Sequence, residues 1–146
     1  MNVTTEIRYP YIYEHALNRS ALWTFAEYNS FKERTQPFVA IYQTHIQHIL
    51  CLIEKHTHNI EWPYSFIPIY LISDRSYKVG EWSGFSDPLT LRFLEQESPK
   101  KLLKTLIHEL VHVNLRLEVQ LSRSFKDNEA IVQSIADKVW GELRLS

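Results

Sequence analysis

Leu102, Leu103, Leu106, Ile107, Leu110 and Val111 recur at i, i+4 behind the dipeptide Ser98-Pro99. A Ser able to cap free backbone N–H groups, followed by a Pro whose fixed φ suits a first turn, marks a helix start. The apolar repeat then requires one face of that helix to be covered along its whole length. The spacing predicts a helix over about residues 99–119, for which the rest of the chain must supply the cover. With 146 residues there is room for one core, so residues 1–146 are read as a single domain. Hydrophobic residues make up 45% and charged residues 23%, a balance that supports a folded chain rather than a disordered one.

Composition also removes function classes. A net charge of -1 offers no basic surface for a phosphate backbone, so nucleic acid is not an expected partner. The longest apolar run, Phe66 to Ile72, falls far short of the roughly 20 residues that cross a bilayer. Glu6 and Arg8 interrupt the N-terminus before any apolar run forms, so no signal peptide is expected, and a cytoplasmic protein without membrane contact is. Only 3 Gly occur, too few for a phosphate-cradling loop. The single Cys51 excludes an internal disulfide and any zinc site with two thiolates, which leaves His and carboxylate as metal ligands.

The remaining elements follow from periodicity. Residues 11–34 read as a helix with Leu17, Ala21, Leu22 and Phe25 at helical spacing, and a second helix runs from Thr35, with Pro37 in its first turn, to near His58. FIPIYLIS and PLTLRFLE read as strands, with a third around Tyr77 to Trp82, making a small three-stranded sheet. Pro68 inside the first of these runs predicts an edge position or a bulge. Ser124 with Asp127 three positions on is a capping-box signature for a last helix through about Leu143. The expected class is α+β. Trp23, Trp62, Trp82 and Trp140 are expected to anchor the core, with Tyr77 or Trp82 able to line a cleft. His45, His48, His56 and His58 read as ordinary residues of the second helix and its end.

His108-Glu109-Leu110-Val111-His112 lies within the 99–119 helix and fits the H-E-x-x-H pattern. Residues four apart share a helix face, so both imidazoles can reach one ion at the roughly 2.0–2.1 Å of a Zn–N bond. Glu109 projects about 100° round the helix, which puts its carboxylate beside such an ion and makes it the general base for a metal-bound water. A catalytic zinc needs a third protein ligand. Leu115 and Glu118 stand where an extended motif would have Gly and His, and with the helix continuing, Glu118 faces some 80° away from the His112 side. Glu129, one turn into the last helix, is the better candidate for the third ligand, though spacing alone leaves it open.

HELVH followed 17 residues later by Glu129, in Asn128-Glu129-Ala130, resembles the gluzincin metallopeptidases, and most closely their small members, the minigluzincins. The order of elements is similar over residues 36–143. The resemblance implies a zincin-like fold: N-terminal helices, a small three-stranded sheet, an active-site helix and a C-terminal glutamate helix. It implies one Zn2+ per chain held by His108, His112 and Glu129, with Glu109 as catalytic base. It also implies that the strand around Pro88 to Glu95 is an edge that binds a peptide or protein substrate by main-chain pairing. Many gluzincins place an Asp four residues after the ligand Glu to orient the first His. This chain has Gln133 there, whose carbonyl can accept the His108 N–H, and Asp137 one turn further on. No residue matches the oxyanion-stabilising Tyr or His of larger relatives; Arg116, one turn past His112, is a substitute or a surface charge.

The reading at this level is a zinc-dependent peptidase, with Arg144-Leu145-Ser146 close enough in sequence to block its own cleft. The competing reading is a zinc-binding fold kept for protein interaction, without turnover. A deformylase-like hydrolase would need a Cys ligand, and Cys51 sits within a different helix.

Overall fold

The computed structural model describes residues 3–11, 24–73, 84–86, 88–93, 98–119 and 125–145. Its strands are β1 (Thr4–Arg8), β2 (Phe66–Ser73), β3 (Gly84–Ser86) and β4 (Leu89–Phe93). Its helices are α1 (Phe25–Arg34), α2 (Gln36–His56), α3 (Pro99–Val119) and α4 (Phe125–Leu143). The architecture is mixed α/β, with the four strands in one sheet of order β1-β2-β4-β3. β1 and β4 run parallel to β2 on its two sides, and β3 closes the far edge antiparallel to β4. Among the described residues, no helix is long and apolar enough to cross a membrane.

The helix predicted at 99–119 forms with those ends. Ser98 Oγ accepts the Lys101 backbone N–H at 3.1 Å, satisfying one of the free donors of the first turn. Leu102, Leu103, Leu106, Ile107, Leu110 and Val111 are all fully buried. The cover comes from several sides at once: α3 packs against α2, α4, β3 and β4. Val113, Asn114 and Leu115 are therefore buried as well, and α3 is the hub of the core. The Asn114 amide donates to the Ile60 carbonyl at 3.2 Å and ties the hub to the segment that leads into β2.

α2 forms nearly as expected, ending at His56 rather than His58, because His58 and Asn59 take left-handed φ values of 56° and 61° that no helix continues. Trp62 is buried, with its indole N–H donating to Glu54 at 2.9 Å. Trp140 is partly buried against the core, while Trp23, Trp82 and Tyr77 lie outside the described residues.

The sheet departs from expectation in three respects. It has a fourth strand, β1, where no strand was predicted: TTEIR is short and mostly polar, and only pairing with Phe66–Tyr70 makes it a strand. The edge position expected at Pro68 is met locally: β2 is interior from Tyr70 onward, where pairing with β4 begins, but at Pro68 it is paired with β1 alone, so the missing N–H leaves no ladder bond to β4 unmade. The Pro88–Glu95 run is not the edge: β4 is flanked by β2 and by β3, and β3 is the outermost of the described strands on that side. The strand expected at Tyr77 to Trp82 lies outside the described residues, and Gly84–Ser86 is a strand that was not expected.

The first helix is also corrected. α1 starts at Phe25, capped by a reciprocal box in which Thr24 Oγ1 accepts the Glu27 N–H and Glu27 accepts the Thr24 N–H. Phe25 is 71% exposed rather than part of an apolar stripe, and the buried face consists of Tyr28 and Phe31. Leu17, Ala21 and Leu22 lie outside the described residues, as does the Ser124 cap.

Candidate metal centre

Helical spacing delivers the two imidazoles together. The rings of His108 and His112 meet edge to face one turn apart, centroids 4.9 Å apart and planes at 70°. The third group arrives because α4 packs antiparallel along α3. On α4, Val132, Ala136, Val139 and Leu143 form the buried stripe, and stepping back one turn from Val132 along that stripe reaches Glu129. A carboxylate at the head of an apolar stripe must face the neighbouring helix, and this one does. Glu129 Oε2 lies 3.2 Å from His108 Nε2, and Glu129 Oε1 lies 2.7 Å from His112 Nε2.

One donor atom from each of His108, His112 and Glu129 lies within 4.8 Å of the other two. Two zinc bonds of roughly 2.0–2.1 Å at a tetrahedral angle separate their donors by about 3.3 Å. The His108–Glu129 and His112–Glu129 separations, 3.2 and 2.7 Å to the two different Glu129 oxygens, are of that order. Among the described residues this is the one group of three such side chains. It can hold a metal ion, and its nitrogen and oxygen donors are of the type zinc accepts.

The protonation states suit that use. Burial holds His112 below the usual histidine range, with the neighbouring His108 adding to the effect and the Glu129 charge opposing it. A neutral imidazole is the form that binds a metal. Glu109 is buried between α3 and the sheet edge, and its carboxyl is pushed up to about 7, first by burial and then by the charge of Glu129. A carboxyl poised near neutrality can both take up and release a proton at physiological pH.

Gly84 of β3 is what lets the sheet edge approach this carboxylate. A Cβ built there would lie 2.9 Å from Thr105 Cγ2 and 3.0 Å from Glu109 Cγ, closer than side chains tolerate.

Other expectations do not hold. Gln133 reaches no imidazole: its amide donates to Asp137 Oδ1 at 2.8 Å on the exposed face of α4, where a full carboxylate one turn away is the stronger acceptor. Neither Gln133 nor Asp137 therefore supports His108. Arg116 donates to the Tyr64 hydroxyl at 2.6 Å. The chain end does not cover the site. Leu145 packs on the core at the far end of α4, about 20 Å along the axis from Glu129, and Ser146 lies outside the described residues. Cys51 is exposed on α2 and belongs to no metal-capable group.

Comparison with protein-family models, with curated proteins and with solved structures finds no match to this chain.

Proposed function

We propose that this chain is a zinc-dependent peptidase of zincin-like, gluzincin type. The observation that carries the reading is the convergence of His108, His112 and Glu129 from two helices, with the buried Glu109 beside them against a sheet edge. Zn2+ bound by the three side chains would lower the pKa of a water towards about 7 and polarise a substrate carbonyl. Glu109 is the base that takes the proton from the attacking water and then hands it to the leaving amine, a role its raised pKa fits.

The substrate strand is assigned to β3 in place of the 88–95 run. Among the described strands β3 is the outermost on this side; it touches α3, and its Gly84 sits against the Glu109 side chain. An extended peptide added to that edge by main-chain hydrogen bonds passes the carboxylate and the two imidazoles in turn. Arg116 donates to the Tyr64 hydroxyl, so the proposed turnover is assigned to Glu109 and the ion.

Metal analysis and a peptide-library digest on the native chain and on Glu109→Gln test the proposal. The native chain should carry about one zinc and cut peptides, whereas Glu109→Gln should keep the zinc and lose cleavage by at least about a hundredfold. Cleavage retained in Glu109→Gln would refute it. Zinc without cleavage in the native chain would instead establish a metal-binding interaction domain.

A further inference from the structure

The opposite edge of the sheet is a second unpaired strand. β1 pairs with β2 on one side only, and no described strand covers its other side. Along that side, between β1 and α2, runs a groove of about 550 Å³. Ile7, Val39, Tyr42 and Ile46 supply its apolar wall, and the exposed Gln43 and Gln47 supply its rim. An edge strand bordered by such a groove offers main-chain hydrogen bonds to an added strand and a place for that strand's alternate side chains.

The side chains of β1 select the occupant. Glu6 and Arg8 project from the same face, opposite to that of Ile7, and are held together by an Arg8 Nε to Glu6 Oε1 bond of 3.1 Å. Arg8 also lies over the Phe66 ring, 5.0 Å from its centroid, which steadies the guanidinium on the open face of the sheet. The order Glu6-Ile7-Arg8 is complementary to itself in reverse. If two copies pair antiparallel about Ile7, each Glu6 stands directly opposite the other copy's Arg8, and the two Ile7 side chains meet on the groove side. A two-fold axis through that point, perpendicular to the sheet, keeps both helical layers on the same face and brings each copy's Ile7 into the other's groove. The net charge of -1 puts little repulsion in the way.

We propose that β1 is the dimerisation edge of this protein: a second copy of the chain adds its own β1 antiparallel, in the register centred on Ile7, to make one continuous sheet across the two-fold. This does not depend on the metal site, which lies at the other edge. It also leaves β3 open to substrate.

Sedimentation equilibrium of the full chain over a wide concentration range, with two charge reversals, tests it. The native chain should dimerise reversibly. Glu6→Arg and Arg8→Glu each place like charges opposite one another twice across the axis, and each should weaken the dimer by about tenfold or more. Both positions are solvent-exposed, so the variants should keep the native circular dichroism. A mixture of the two variants restores both opposite-charge pairs and should form a heterodimer of near-native affinity, as should the double swap with itself. The proposal is overturned if the native chain stays monomeric to high micromolar concentration, which would leave the groove to a partner of different sequence. It is equally overturned if the single reversals dimerise as well as the native chain, or if the mixture gains nothing over either variant alone.

Discussion

Helix α4 carries a glutamate near each end, and each bridges two side chains of a neighbouring helix. Glu129 lies between His108 and His112 of α3, and Glu142 lies between Lys55, at 3.1 Å, and His56, at 3.0 Å, of α2. The two are exposed to nearly the same degree, with side chains at 37% and 39%. What separates them is the charge of their partners. Lys55 already supplies a cation, so Glu142 is satisfied as an ion pair and its carboxyl is held below the usual range, chiefly by the Lys55 hydrogen bond. At the other end both partners are imidazoles, and burial favours the neutral form of His112. Among the described residues, no Lys or Arg is paired with Glu129 as Lys55 is with Glu142, so a divalent ion could supply the counter-charge there. A cluster of metal-ligating residue types is the better candidate for a metal where no fixed cation takes the place of the ion.

The strongest way to break this comparison is to neutralise the two glutamates in turn. Glu129→Gln should reduce zinc affinity by more than about a hundredfold, beyond what the loss of a mere supporting residue does. Glu142→Gln should leave affinity and stoichiometry unchanged. Competition titration with a zinc chelator reads both, and equal losses from the two variants would show that the geometry at Glu129 is incidental.

The two ends should also respond to pH with opposite sign in the metal-free protein. Glu109, beside Glu129, has a folded pKa raised to about 7. The folded state therefore holds its proton more tightly than the unfolded chain does, and the stability it contributes at low pH is lost as pH rises from the ordinary 4.5 to about 7. Glu142, with its lowered pKa, contributes stability above the ordinary carboxylate range that is lost as pH falls. His112 opposes Glu109 on the acid side, so the comparison has to be made against a variant. Glu109→Gln should be more stable than the native chain by roughly 3 kcal/mol at about pH 8, with the difference shrinking towards zero near pH 5. Urea denaturation of both metal-free proteins across that range measures it. A constant difference would mean that Glu109 does not titrate as its burial demands.

How far the sequence foretold this arrangement depends on whether the signal was local. The α3 stripe, its Ser98-Pro99 start and the His108–His112 pair are all written within one helix, and all stand in the structure. Glu129 was legible as a candidate from its place after HELVH. The heptad-like line from Leu143 back through Val139, Ala136 and Val132 would have pointed its carboxylate at α3 without recourse to any resemblance. The Thr24–Glu27 box that starts α1 is equally local, but the apolar spacing upstream of it favours a longer helix and masks the signal. The sheet was the less legible part for a physical reason. Whether β2 and β4 are interior or edge strands depends on partners far away in sequence, and β1 has almost no apolar pattern of its own. Gly84 owes its significance to α3 standing over it, which no run of residues around it discloses.

Gly84 sharpens the comparison from the sheet side, since it packs on Glu109, the proposed base, rather than on the three metal-capable side chains. In Gly84→Ala the new methyl meets Thr105 Cγ2 and Glu109 Cγ, and the flexible Glu109 side chain is the one that yields. Zinc stoichiometry should be unchanged, while peptide cleavage falls by about tenfold, because a displacement of an ångström or less at a catalytic group already costs one to two orders of magnitude. A loss of zinc in this variant would mean that β3 positions the ligands as well as the base.

The smallest effect is expected at the far end of α4. Glu142 joins α4 to the last turn of α2 through contacts that water screens, and exposed ion pairs contribute little to stability. Glu142→Gln should lower Tm slightly at neutral pH and not at all at a pH acid enough to protonate Glu142 in the native chain. The slight loss should also vanish in high salt, since screening removes an exposed pair's attraction. A large, salt-independent drop would mean that the pair pins α4 against α2, and that the alignment of Glu129 with the two imidazoles depends on both ends of the helix rather than on its buried stripe alone.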